Sequence, residues 1–473
     1  MTQVLITGGN PFAFENQPLA MNNYGILYEL FVLPFAIVFG NTLLVHRAVS
    51  FFFILLCSAV SFLTLKKINN DVYLSGLCSI LMAIVLTGRG GIGASPASVG
   101  CFFFLTAVLV PFNRSFDACS LLISILSCLL AFYTKPYFVL SFGIVASYLF
   151  LFVSKKTGVL YSISFCLFFL VTFALIRYFL TLYFVDILLG NISNADLGLA
   201  HLLEQLQELC REFFPSFALA LLFLLINAVR NYGKEFSSQK IKLNLGWSNL
   251  DSALFRMSMD YFGYVFLIGL LAFIFILGAH LLNFMTYAYH VVMLPFFLWL
   301  FSKIIKGTRL ALIAIPIFLL NAAWLSLILI NPSFLQKKDS AGWSEIRAYV
   351  SGSEKVLNSP AIVSLLIEEG ILPVDSGQTE FYYALKRYPD LPWLGPSYKV
   401  VKQNGSQYLW NINYAIANKE FDKLILTEED KSEIKLRDRI DQYYVKVNTI
   451  QLDMPQTNEV WKLGVWEPIK PSP

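Results

Sequence analysis

Residues 117–153 read DACSLLISILSCLLAFYTKPYFVLSFGIVASYLFLFV, and one dipeptide in that run decides how the chain is built. After Asp117 the only charged residue is Lys135, and it stands directly before Pro136. Proline has no N–H to give a helix and pushes the residue before it into extended backbone, so a helix starting near 117 cannot continue past this step. The two apolar halves, 117–133 and 136–153, each fall within the roughly 17–25 residues that a membrane-crossing helix needs. The sequence therefore predicts two spans joined by a tight reversal that carries a lysine.

The same pattern extends in both directions. Segments 42–64, 71–88 and 98–113 precede the pair, and 159–186, 213–229, 260–280, 287–304 and 309–330 follow it, which makes ten predicted transmembrane helices. Composition agrees, since 57% hydrophobic residues, 14% charged residues and 43 Phe in 473 lie outside soluble norms. A net charge of +4, spread over loops rather than clustered with aromatics, argues against a nucleic-acid partner. All seven cysteines lie in the first half without metal-type spacing, so disulfides do not hold the polar tail. The apolar run 24–40 contains Glu29 and Pro34 and reads as an amphipathic helix at the membrane interface.

Lysines and arginines orient the spans. With residue 1 outside, the inward loops receive Lys66, Lys67, Arg114, Lys155, Lys156, Arg230, Lys234, Lys240, Lys242, Arg256, Lys303, Lys306 and Arg309. The outward ones hold Arg89, Lys135 and Arg211. Ten spans then return the tail to the outer side of the plasma (inner) membrane. The expected organisation is an outer loop and interfacial helix over 1–41, a transmembrane domain over 42–332 and a soluble extracytoplasmic domain over 333–473. Residues 1–23 offer no signal peptide, so an exported N-terminus is expected either to rely on the first internal span as a reverse anchor or to belong to a longer chain whose first helix precedes residue 1. Outer residues 187–212 place leucines at helical intervals and read as an amphipathic helix.

The tail changes period. Ala361–Ile367 reads as helix, Ile371–Asp375 and Phe421–Thr427 as strands, and Glu459–Trp466 alternates like a final strand, giving an α/β or α+β domain. Asp375–Glu380 has the form of either a site-bearing loop or an ordinary strand-to-helix turn. No P-loop, dinucleotide fingerprint or nucleophile triad is visible there.

Several short motifs carry a resemblance. Gly8-Gly9-Asn10-Pro11-Phe12-Ala13-Phe14-Glu15-Asn16-Gln17-Pro18, then Asn23-Tyr24-Gly25-Ile26-Leu27-Tyr28 and Leu44-Val45-His46-Arg47, look like the first outer loop, juxtamembrane helix and second span of GT-C superfamily glycosyltransferases. Ser95-Pro96-Ala97-Ser98 and Tyr133-Thr134-Lys135-Pro136-Tyr137 add to it. The branch it resembles holds the bacterial protein-mannosyltransferase-like and aminoarabinose-transferase-like proteins, and the likeness covers about the first 330 residues. It implies an inverting transfer of a sugar from a polyprenyl-phosphate donor to an extracytoplasmic glycan, lipid or protein. Relatives carry one more N-terminal span and an acidic pair in the first outer loop; here Glu15 is the only carboxylate in residues 1–28, and Ala97 stands where an acid is often found. Some relatives use a divalent cation, but no ligand set for one is visible.

Such a transfer needs a carboxylate to take the acceptor's proton and fixed cations to stabilise the departing phosphate. Under this resemblance Glu15 is the expected base, Lys135, Arg47 and Arg89 the phosphate-binding cations, and Tyr137, Tyr287 and His290 the substrate pocket. Each also has a plainer reading. Glu15 is then a solvated loop acid, Arg47 snorkels to headgroups, Arg89 sits in a glycine-rich turn, and Lys135 meets ordinary lipid. The tyrosines form an interfacial belt, and His280 with His290 lacks the carboxylate partners of a metal site. Arg177 within 159–186 faces a cavity or pairs with Asp186. The alternatives to an enzyme are a transporter or flippase of lipid-linked carbohydrate and a non-catalytic glycosyltransferase relative. Against the transporter stand the lack of an internal repeat and the few charges within spans.

Overall fold

A computed structural model describes residues 1–13, 24–69, 72–87, 96–180, 261–265, 341–375, 410–428, 440–454 and 459–470, with single positions 183, 184, 187, 268 and 403. Most of the described chain is helical. Among the described residues, four helices are long and apolar enough to cross a membrane: Leu43–Ile68, Pro96–Asn113, Pro136–Val153 and Lys155–Phe179. The segments predicted at 213–229, 287–304 and 309–330, the 260–280 segment apart from 261–265 and 268, and the 187–212 helix apart from Ile187, lie outside the described residues. The chain divides into two compact units: Met1–His46 with Leu170–Asn194 and Pro332–Pro473, and Arg47–Phe169 with Ala195–Asn331.

The helices in chain order are α1 (Thr2–Ile6), α2 (Leu27–Phe39), α3 (Leu43–Asn69), α4 (Val72–Leu86), α5 (Pro96–Asn113), α6 (Ala118–Thr134), α7 (Leu140–Tyr148) and α8 (Lys155–Phe179). In the second unit α5 is the centre: 72% of its apolar window is buried, against 11% for α8, whose Leu160, Ile163, Leu167 and Val159 remain exposed. An apolar surface that wide suits lipid rather than water. α3 and α5 run parallel, because Phe53 meets Phe102 and Phe103 at centroid distances of 5.6 and 6.2 Å while Lys67 donates to the Asn113 carbonyl. α6 returns antiparallel to α5, with Ser124 Oγ donating to the Ala107 carbonyl at 2.7 Å.

The reversal between α5 and α6 is strained and then anchored. Ser115 and Phe116 have φ of 53° and 60°, a left-handed conformation that costs a side-chain-bearing residue energy. Phe116 is held there by burial, its ring 5.6 Å from that of Tyr148 and 5.7 Å from that of Tyr261. Asp117 then caps α6 by accepting from the Ser120 N–H at 2.7 Å. Ser115 is exposed and has no such anchor, so Ser115→Gly is expected to leave the detergent-solubilised protein's melting temperature unchanged or raise it. A lowered melting temperature contradicts the strain argument.

Two span boundaries differ from expectation. The 42–64 helix runs on to Asn69 and carries Lys66 and Lys67 in its last turn. The 159–186 segment is the helix Lys155–Phe179, because Ser154 in extended backbone starts it four residues earlier, its Oγ accepting from the Thr157 N–H at 3.4 Å. Arg177 therefore occupies the last turn of α8 and is exposed, while Asp186, the acid expected to pair with it if it does not face a cavity, lies outside the described residues. α2 confirms a helix in the 24–40 run. At 13 residues it is only about 20 Å long, too short to cross the hydrocarbon layer upright.

The C-terminal segment forms a five-stranded sheet of order β2-β1-β3-β5-β4, with β1 Lys355–Asn358, β2 Leu372–Asp375, β3 Lys423–Thr427, β4 Tyr444–Met454 and β5 Glu459–Pro468. β1 pairs in parallel with β2 and β3, and β5 pairs antiparallel with β3 and β4. Helices α9 (Ala341–Val350) and α10 (Val363–Glu368) supply Ile346, Val350, Leu365 and Leu366 to a core with Val356, Ile425 and Val465. The alternate residues Leu357, Leu424 and Leu426 are buried too, so the central strands are covered on both faces and read as continuous apolar runs. The expected strands at 371–375, 421–427 and 459–466 are all present within a residue or two.

Candidate functional site

Lys135 is a buried cation of the second unit. Its backbone is extended, φ −148° and ψ 126°, as a residue before proline requires, and its N–H still bonds the Ala131 carbonyl at 3.0 Å. Pro136 then opens a 3₁₀ turn, Pro136–Val139, whose Phe138 N–H bonds the Lys135 carbonyl at 3.0 Å. The side chain is only 2% exposed, and its Nζ lies 5.7 Å from the centre of the Tyr137 ring. Burial lowers the ammonium pKa from 10.5 to about 8, because desolvation penalises the charged form. A buried amine at a helix reversal can neutralise a single anionic group delivered to it.

The reversal is positioned by Gly100. The Phe138 ring lies where a Cβ on Gly100 would stand, so the absence of a side chain on α5 lets the 3₁₀ turn pack against it. Arg47, in the first turns of α3, is half-buried, and its Nε is buried with no hydrogen-bond partner among the described residues. α3 runs parallel to α5 and α6 antiparallel to it, so Arg47 and Lys135 belong to the end of the bundle opposite Lys67 and Arg114. Helix α7 and the π turn Leu149–Val153 lead from Lys135 back to Lys155 and Lys156 at that other end. The structure thus brings Lys135 and Tyr137 together and puts Arg47 at the same level. Glu15, Arg89, Tyr287 and His290 lie outside the described residues, as does the Asp375–Glu380 loop beyond the end of β2. No group of three His, Cys, Asp or Glu side chains that could hold a metal exists among the described residues.

A second polar cluster, in the first unit, was not anticipated. Thr2 Oγ1 donates to Glu29, Asn41 Nδ2 donates to Gln3 Oε1 at 3.0 Å, and His46 Nε2 is 3.0 Å from Asn41 Oδ1. Tyr28 OH approaches His46 Nδ1 at 3.4 Å and donates to the His46 carbonyl at 3.2 Å. The chain of contacts sets His46 as the Nε2–H tautomer, with Asn41 as acceptor. Its members are scattered over residues 2 to 46, and the sequence signal that could have joined them is Gly40. Gly40 ends α2 at φ 87° and ψ 153°, a region open essentially to glycine alone, and turns Asn41 back toward α1. Gly40→Ala is therefore expected to destabilise the protein by about 1–3 kcal/mol, seen as a lower melting temperature. An unchanged melting temperature contradicts it.

Comparison with protein-family models and with curated proteins returned no match.

Proposed function

We propose that the chain is an inverting membrane glycosyltransferase that moves a sugar from a polyprenyl-phosphate donor to an extracytoplasmic glycan, lipid or protein acceptor. The observation that supports this reading is a lysine, 2% exposed, fixed by a proline-enforced reversal at the end of a helical bundle away from Lys67, Arg114 and Lys155. On the ten spans expected from the sequence, that end faces the outer leaflet of the plasma (inner) membrane, where a lipid-borne phosphate resides, and the C-terminal domain lies on the same side of the membrane. Lys135, with Arg47 and Arg89, binds the donor phosphate. Tyr137, Tyr287 and His290 line the sugar pocket. The acceptor hydroxyl attacks the anomeric carbon as its bond to the phosphate oxygen breaks; Glu15 takes the hydroxyl proton, and the electron pair leaves on the polyprenyl phosphate, held by the cations.

The test is transfer by the full chain in proteoliposomes supplied with radiolabelled polyprenyl-phosphate hexoses and pentoses and an extract of extracytoplasmic acceptors. Label moving into acceptor supports the reading; no transfer from any donor overturns it. Donor binding also has an expected pH dependence. Lys135 is protonated below about 8, so affinity for the phosphate falls as pH rises through that value. Stability moves the other way. The folded pKa lies below the unperturbed 10.5, so the unfolded chain holds more protons in between, and Lys135 raises stability from about 8 to 10.5. Donor affinity that is flat across pH 7–9.5 contradicts a role for this amine.

A further inference from the structure

The C-terminal domain presents a surface that the sugar-transfer reading does not use. Helix α11 (410–417) turns one face inward, where Ile412, Ala415 and Ile416 are all buried. Its opposite face carries Trp410, Asn411, Tyr414 and, just past its end, Asn418, at the i, i+1, i+4, i+8 spacing that keeps them on one side. Trp410 is 58% exposed and Tyr414 51%. Their rings stack on one another with centroids 5.1 Å apart and planes 20° from parallel, so the pair presents its outer ring faces and edges as one aromatic surface. A stacked pair of large aromatics left in water on a domain with a complete core marks a contact surface.

The charge pattern narrows what that contact is. Elsewhere the domain surface is laced with ion pairs, Lys355–Glu420, Lys423–Glu467, Lys446–Glu428 and Arg347–Glu369 among them. The 410–418 stripe contains no charged residue. It offers nothing to an anionic headgroup layer, which recruits lysine and arginine, nor to an acidic or basic polymer. Its chemistry is flat aromatic carbon bordered by carboxamides, which both donate and accept hydrogen bonds. That combination suits a neutral sugar, whose C–H face lies on an aromatic ring while its hydroxyls meet amide groups at the edge. Asn418 Nδ2 donates to the Tyr414 carbonyl at 3.0 Å, which fixes one of those carboxamides at the end of the stripe.

We propose that Trp410 and Tyr414, with Asn411 and Asn418, form a docking platform for a neutral oligosaccharide. The inference rests on the proposed sugar transfer only in naming that oligosaccharide as the acceptor. Binding is read without any donor, by saturation-transfer NMR on the full chain in nanodiscs with maltohexaose, mannohexaose and chitotetraose as probes. Wild type is expected to bind at least one of them. W410A/Y414A should weaken that binding about tenfold or more, as loss of an aromatic hot spot does. W410F/Y414F, which keeps the rings, should restore most of it, and neither variant should change the melting temperature. K135M should leave oligosaccharide binding unchanged, so a failure of sugar transfer and a failure of this platform give different results. Absence of binding to all three probes, or equal binding by W410A/Y414A and wild type, overturns the platform. So does quenching of Trp410 by brominated lipid in the nanodisc, which would make this face a bilayer contact.

Discussion

On the proposed sugar transfer, Lys135→Met is expected to lower the rate by about a hundredfold to a thousandfold, the range seen when one group stabilising a developing anion is removed. The protein carrying this change does not melt earlier. Lys135 is 2% exposed, and burial already presses its pKa down to about 8, so the folded state carries a desolvation cost that methionine removes. A lysine kept for packing or for headgroup contact gives the opposite pattern, with lost stability and little change in turnover. Lys135→Arg is expected to recover only part of the rate, since a planar guanidinium fork does not place its charge where a compact ammonium does. The measurement is initial transfer rate together with melting temperature for each variant in the same detergent. A K135M protein that is both slower and much less stable contradicts the assignment of a functional rather than structural cation.

Gly158→Val prevents α8 from docking. A Cβ at Gly158 would come within 2.7 Å of the Phe150 backbone nitrogen and 2.8 Å of its Cα, and backbone inside a π turn cannot swing aside as a side chain can. The Gly158 N–H is bonded to the Ser154 carbonyl at 2.9 Å, so α8 cannot slide along its axis without losing its cap. Small residues at such contacts let helix backbones approach in membranes, where dispersion rather than the hydrophobic effect holds helices together. Even Gly158→Ala should cost about 1–3 kcal/mol through overpacking, and valine more. Fluorescence-detected gel filtration of the solubilised protein checks it. The variant should aggregate or melt many degrees lower, and a monodisperse valine variant with wild-type melting contradicts the close approach.

How much of this was legible in the sequence depends on whether the cause was local. The Lys135-Pro136 reversal was readable because one residue's ring chemistry forces it. The strands near 371–375, 421–427 and 459–466 were readable because their apolar residues sit in short runs between polar turns. β1, Lys355–Asn358, escaped notice because four residues carry too little period to count. β4, Tyr444–Met454, escaped for a different reason. A bulge between Lys446 and Asn448 shifts its register, so the apolar residues fall at odd positions up to it, Val445 and Val447, and at even positions after it, Ile450 and Leu452, and no single alternation runs through the sequence. The start of α8 was misjudged because hydropathy registers apolar content and not the Ser154 cap. The Thr2, Glu29, Asn41 and His46 cluster was invisible, since packing of α1 on α2 creates it from residues up to 44 positions apart. Of the site, the cation and its aromatic neighbour could be read from the sequence; the glycine on α5 that seats their turn could not, because the contact belongs to tertiary structure.

The most direct test of the central claim is native mass spectrometry of the full chain in detergent with added polyprenyl phosphate, comparing wild type with K135M. Wild type should retain the phosphate lipid but not the uncharged polyprenol, and K135M should lose the phosphate lipid about tenfold or more at equal concentration. Equal retention by the two proteins, or equal retention of phosphate and alcohol by wild type, contradicts a phosphate site at Lys135.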